Sequence, residues 1–161
     1  MAAESPIEKA EFRTVLGHFA SGVTVVTGID SGGPLGLTCQ SFFSLSLDPP
    51  LIAIAPANSS VSWPRIEATG SFCANVLADD QEAIAWAFAS SGGDKFVGVG
   101  WSPTTTGCPH IHGALAWIDC DVREVLDGGD HRLVVGAVRE LGSGPGEPLL
   151  FYRGGFGTFQ A

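Results

Sequence analysis

Near its start the chain carries apolar residues at helical spacing, Ile7, Phe12, Val15, Leu16 and Phe19, behind Ser5-Pro6-Ile7-Glu8, a capping-box pattern with proline at the first helical position. The pattern predicts a helix over about 6–20, ended before Gly22. Polar and apolar positions then change period. Residues 23–29 are β-branched enough for a strand, and Ser31-Gly32-Gly33-Pro34 turns it into a second over 35–43. Prolines bound a short apolar strand at 51–55, and another is expected at 71–77. Between them, Ser62-Trp63-Pro64-Arg65-Ile66-Glu67 reads as a one- or two-turn helix stopped near Gly70. Asp79, Asp80 and Glu82 put acids in the first turn of a helix carried by Ile84, Trp86, Ala87 and Phe88 to about Ala89. An irregular segment follows over 90–109, long enough for a working loop. Strands over 114–126 and 131–141, joined by Asp127-Gly128-Gly129-Asp130, and a last one over 148–152 complete the pattern. Five to seven strands with few helices predict an antiparallel barrel or sandwich rather than a βαβ sheet.

Composition sharpens this picture. At 161 residues the chain has the length of a single domain, 1–161, with one core. Eight Lys and Arg against 17 Asp and Glu give a formal charge of −9, a sign that repels phosphate backbones and anionic lipid, so neither nucleic acid nor a membrane surface is an expected partner. Charged residues make up only 16% while apolar ones reach 45%, which leaves neutral and apolar surface for a subunit interface. The N-terminal residues lack the basic and apolar regions of a signal peptide, and no apolar stretch is long enough to span a bilayer. Cys39, Cys73, Cys108 and Cys120 form no C-x-x-C pair and read as reduced thiols in a cytoplasmic chain.

Several familiar chemistries lack their motifs: G-x-G-x-x-G, G-x-x-x-x-G-K-[ST], G-x-S-x-G and H-E-x-x-H are all missing. Cys108-Pro109-His110-Ile111-His112 places three ligand-type side chains at alternate positions, but no fourth ligand is evident, and the plainer reading is a loop edge without metal. Asn58-Ser59-Ser60-Val61-Ser62 offers amide, hydroxyl and backbone N–H groups before a short helix, suited to a phosphate and equally to an ordinary N-cap. From Gly36 to Ser46, hydroxyl and amide groups interrupt a strand-like stretch, which suits a ligand or an exposed strand face. His131 follows a glycine-rich turn at a strand start, at a barrel rim or a plain hairpin end, and His18 reads as a helix-surface residue.

Taken in order, Gly22-Val23-Thr24-Val25-Val26-Thr27, Gly36-x-Thr38, Ser41-x-x-Ser44-x-Ser46-x-x-Pro49-Pro50, Asn58-x-Ser60, Asp94-Lys95-Phe96, Gly129-Asp130-His131 and the run Leu149 to Gly155 resemble the short-chain flavin reductase family over about residues 10–157. The family includes reductase components of two-component flavin-dependent monooxygenases. The resemblance implies a mainly β fold, a Greek-key split β-barrel with a few short flanking helices. It also implies a homodimer, FMN or FAD bound noncovalently near the dimer interface, and NADH or NADPH as co-substrate. By that likeness Thr38, Cys39, Gln40, Ser41 and Ser44 line the flavin ring and ribityl chain, while Ala55, Asn58, Ser60 and Val61 hold its phosphate. Lys95 and Phe96 close over the flavin, and His131 meets the nicotinamide nucleotide, with Tyr152 and Arg153 on the closing strand beside it. Gln40 departs from the family, which more often has a smaller polar residue there. No catalytic side chain beyond the cofactor is implied, because hydride passes directly from nicotinamide to flavin. Reduced flavin then leaves for a partner monooxygenase. Two other readings use related barrels: a flavin- or haem-binding module without turnover, and a pyridoxamine-phosphate oxidase-like enzyme. The second wants a basic cluster that eight scattered basic residues do not form.

Overall fold

In the computed structural model, which describes residues 6–161, helix α1 (Lys9–Leu16) precedes strands β1 (Ser21–Gly22), β2 (Thr24–Asp30), β3 (Gly33–Cys39), β4 (Phe42–Leu47) and β5 (Pro50–Ile54). Helix α2 (Trp63–Thr69), β6 (Ser71–Val76), a 3-10 turn (Asp79–Gln81) and helix α3 (Glu82–Ala89) follow. The remainder is strand: β7 (Trp101–Pro103), β8 (Pro109–Ile111), β9 (Ala116–Gly128), β10 (His131–Ser143), β11 (Leu149–Tyr152) and β12 (Gly155–Thr158). Seven strands form one antiparallel sheet in the order β3-β2-β6-β9-β10-β5-β4, with β3 and β4 at its opposite edges. This is the mainly β, split-barrel type of architecture expected from the sequence.

Pleating explains how one sheet serves two cores. Val25 and Val26, neighbours on β2, face opposite ways. Val26 joins Leu37, Ile54, Trp63, Ile66, Phe72 and Val134, whereas Val25 joins Leu77, Phe88, Phe96, Ile111 and Leu149 under α3. Helix α2 seals the first core with Trp63 and Ile66, and ends at Gly70, whose φ of 82° is the left-handed cap conformation that glycine adopts without strain. Ser21 Oγ is buried without a hydrogen-bond partner, but the buried polar groups beneath the β7–β8 hairpin are paired. Asn75 donates from Nδ2 to the Val25 carbonyl (3.1 Å) and accepts at Oδ1 from the Ile111 N–H (2.8 Å), while Asp119 accepts from the Thr106 hydroxyl (2.6 Å). These bonds tie the β7–β8 hairpin to the sheet.

The structure departs from the sequence pattern in three places. Helix α1 runs only Lys9–Leu16, with Glu8 at its N-cap; Ser5 of the expected capping box lies outside the described residues, and His18 sits in the turn after the helix. None of the helix is buried, so the apolar spacing that predicts it does not serve this chain's own core. The strand expected over 35–43 breaks at Gln40 and Ser41, where the chain passes from one sheet edge, β3, to the other, β4. Beyond that division, β1, β7, β8 and β12 are two- to four-residue strands too short to show a period.

Candidate functional site

A cleft of about 540 Å³ opens between β3 with its Gln40–Ser41 extension, the strap 55–62 that leaves β5, and the segment 88–96 after α3. Its size is that of an organic cofactor site. Strand β3 pairs only with β2, so its outer row of backbone groups is not taken up by a further strand. The Ala55 N–H donates to the Ser41 carbonyl (3.2 Å) and so links two walls.

The lining residues divide into occupied and available groups. Thr38 donates its hydroxyl to the Ala85 carbonyl of α3 (2.6 Å), and Ser60 Oγ accepts from the Trp63 N–H (3.1 Å), which leaves the Ser60 hydroxyl proton to donate. Cys39 is buried, and burial pushes its thiol pKa up, which makes it a wall rather than a nucleophile. Among the described residues the side chains of Gln40, Ser41, Ser59 and Ser62 have no hydrogen-bond partner within the chain, though all four line the cleft. Lys95 donates from Nζ to the Gly36 carbonyl (3.2 Å) and the Phe88 carbonyl (3.3 Å), and desolvation lowers its pKa. Phe96 is held edge-on by Phe88, with ring centroids 4.9 Å apart.

Arg65 also lines the cleft, from α2. Asp30 accepts from its Nε (2.8 Å) and Nη2 (2.9 Å), a two-point grip that holds the Asp30 carboxyl below the usual carboxylate range and leaves Nη1 uncommitted. Sequence reasoning overlooked Arg65. Its signal is the i, i+3 spacing from Ser62, which puts both on one helix face.

His131 reaches the cleft from the first position of β10, its Nδ1 2.7 Å from Asp130 Oδ1. The structure therefore gathers Thr38, Cys39, Gln40, Ser41, Ala55, Ser60, Val61, Lys95, Phe96 and His131 around one cleft. Four expected residues lie elsewhere. Asn58 turns its amide to the Gly129 carbonyl (3.0 Å) and borders a separate shallow depression beside Trp63 and Arg132. Ser44 sits on β4, Tyr152 ends β11, and Arg153 occupies the turn beyond it with a positive φ of 50°; none of the three lines the cleft. In the metal-like segment Cys108 is buried, His110 packs against the Trp117 ring, and His112 Nε2 lies 2.7 Å from Ser102 Oγ.

A mainly antiparallel fold with a polar cleft at an edge strand, Lys95 and Arg65 in its lining and the His131–Asp130 pair at its rim suits a protein that holds a cofactor and lets the cofactor react. The chain belongs to the family described as flavin reductase like domain, whose model matches residues 16–160. The reductase subunit HsaB of a flavin-dependent monooxygenase from Mycobacterium tuberculosis is 48% identical over 153 residues, covering 93% of this chain and 82% of that protein. The crystal structure of nitrilotriacetate monooxygenase component B from Mycobacterium thermoresistibile superposes with a TM-score of 0.92 at 47% identity, covering 94% of this chain and 87% of the other. The Streptomyces globisporus NADH:FAD oxidoreductase SgcE6, solved in complex with NAD and FAD fragments, is 37% identical with a TM-score of 0.91, covering 97% and 95%.

Proposed function

We propose that the chain is an NAD(P)H:flavin oxidoreductase that reduces FMN or FAD and supplies the reduced flavin to a partner flavin-dependent monooxygenase. The observation that carries this reading is the cleft itself. Its unpartnered Gln40, Ser41, Ser59 and Ser62 side chains and its edge-strand backbone suit a large polar ring system and a phosphoryl tail. A bound flavin supplies the ring that takes hydride from the nicotinamide. Thr38, Cys39, Gln40, Ser41 and Ala55 orient the ring and ribityl chain; Ser59, Ser60, Val61, Ser62 and Arg65 receive the phosphoryl end; Lys95 and Phe96 close the third wall. Lys95 brings positive charge to a site that gains negative charge on reduction. His131, with Nδ1 held by Asp130, leaves Nε2 for the nicotinamide nucleotide.

The working unit in this proposal is a cytoplasmic homodimer, for which the exposed apolar face of α1 and β4 is the support. Among the described residues no helix is long and apolar enough to cross a membrane, and the four cysteines are free. The test is oxidation of NADH and of NADPH with FMN, FAD and riboflavin added in turn. Flavin-dependent oxidation of the nicotinamide is expected. Flavin binding with no oxidation of either donor would identify a binding module instead.

A further inference from the structure

We propose that Asn58 is a positioning residue for the nicotinamide donor, acting through the turn that carries His131, and not a contact for the flavin phosphate. The inference rests on the reading of His131 as the residue that meets the nicotinamide nucleotide.

The strap 55–62 has two sides. Ser59, Ser60, Val61 and Ser62 line the cleft, whereas Asn58 is turned out of it. Asn58 meets the turn 127–130 at two points, its backbone N–H donating to the Asp130 carbonyl (2.9 Å) and its Nδ2 to the Gly129 carbonyl (3.0 Å). The Arg132 N–H returns a bond to the Pro56 carbonyl (2.9 Å), and Ala57 bridges His131. His131 is thus flanked on both sides by bonds to the strap.

The hairpin ladder holds the turn at its base, where Gly128 pairs with His131 and Asp127 with Arg132, and leaves its tip, Gly129 and Asp130, to the strap. Gly129 has a φ of 80°, its N–H reaches Asp127 Oδ1 at 3.3 Å, and the Asp130 carboxylate that orients the imidazole is almost fully exposed. Of the strap's side chains, only that of Asn58 donates to the turn. Because Gly129 is exposed, water can replace the amide when it is removed, so the fold survives while the tip of the turn loses its side-chain brace. The loss then falls on the orientation of His131, a cost paid by the ligand that His131 meets.

Four forms of the full-length protein test this: wild type, Asn58→Ala, His131→Ala and the double variant, with Asn58→Asp as a near-isosteric second variant that cannot donate to a carbonyl. Steady-state KM and kcat for NADH are measured at saturating FMN, and FMN dissociation constants by flavin fluorescence. Asn58→Ala and Asn58→Asp are expected to raise KM for NADH by roughly three- to tenfold while the FMN dissociation constant stays within about twofold. In the double variant the Asn58 change adds nothing to His131→Ala, because both act through one group. An unchanged KM in the Asn58 variants, FMN binding weakened as much as KM rises, or full additivity on His131→Ala would each overturn the proposal. If His131→Ala itself leaves KM for NADH at the wild-type value, the underlying reading of His131 fails and the proposal fails with it.

Discussion

At the scale of single residues, what decides a role here is which partner a polar atom already has. Ser60 and Asn58 both precede a helix, and the family likeness casts both as phosphate ligands, yet Asn58 spends its amide on Gly129 while Ser60 keeps a proton to donate. Residue type and spacing marked the strap; they carried no information on which side of it each side chain takes, because that is set by a turn 71 residues further on. Arg65 shows the converse. Asp30 pre-orients its guanidinium, so an arriving phosphoryl group meets an ordered fork, but the carboxylate cancels much of the net charge and the gain is modest. Arg65→Gln is expected to weaken FMN binding by roughly three- to tenfold and leave riboflavin, which has no phosphate, unaffected. Equal loss for both flavins in a fluorescence titration would remove Arg65 from the phosphoryl end. Away from the cleft, burial chiefly, and His112 secondarily, lower the His110 pKa from 6.5, with Glu140 opposing. The unfolded chain therefore binds a proton at higher pH than the folded one, and His110 contributes stability above pH 6.5 that is lost as pH falls through the depressed folded value. His110→Gln should flatten the decline of melting temperature on acidification below 6.5; an unaltered pH profile would refute this.

At the scale of elements, the short helices and the long hairpin were legible because they carry their own punctuation. Pro64 and Gly70 bracket α2, and the acids at 79–82 open the turn and helix that lead to Ala89. The 35–43 stretch was not legible as two strands, since a chain crossing between sheet edges keeps the composition of a strand throughout; Gln40 and Ser41, polar and exposed, mark the crossing. That crossing supplies the cleft with its most available polar groups. Strand β3 is coupled to α3 at Gly36, where an added Cβ would lie 2.8 Å from Phe88 Cε1 and 3.0 Å from the Val26 carbonyl. The Phe88 ring is itself buried and wedged against Phe96, so making room moves the cleft's third wall. Gly36→Ala should cost about 1–3 kcal/mol in chemical denaturation and also weaken flavin binding. Lost stability with wild-type flavin affinity would show that α3 and the cleft are not mechanically joined.

At the scale of the whole molecule, the unresolved demand is the apolar surface. Phe12, Val15, Leu16 and Phe19 on and just after α1 are all more than half exposed, and Leu47 on β4 is 92% exposed. Monomers rarely leave so many large apolar side chains in water, and a chain with 16% charged residues has few charges with which to offset them. The sequence showed the apolar face of α1 plainly but had no means of saying which body covers it, because periodicity reports that a face is buried and not by what. A second copy of the same chain satisfies the demand symmetrically, each α1 finding the apolar surface it lacks at home. The alternative occupant, a partner monooxygenase, would have to leave this face bare whenever the two proteins part, whereas a second copy covers it permanently. Sedimentation at micromolar concentration should therefore give about twice the 16.7 kDa chain mass. Phe12→Glu with Leu16→Glu, which places two like charges on the same helix face, should shift the population toward monomer while leaving the sheet's circular dichroism intact. A wild-type chain that sediments as a monomer would defeat the argument outright. A dimer indifferent to both substitutions would move the interface away from α1 and leave its exposed face to be covered by something else.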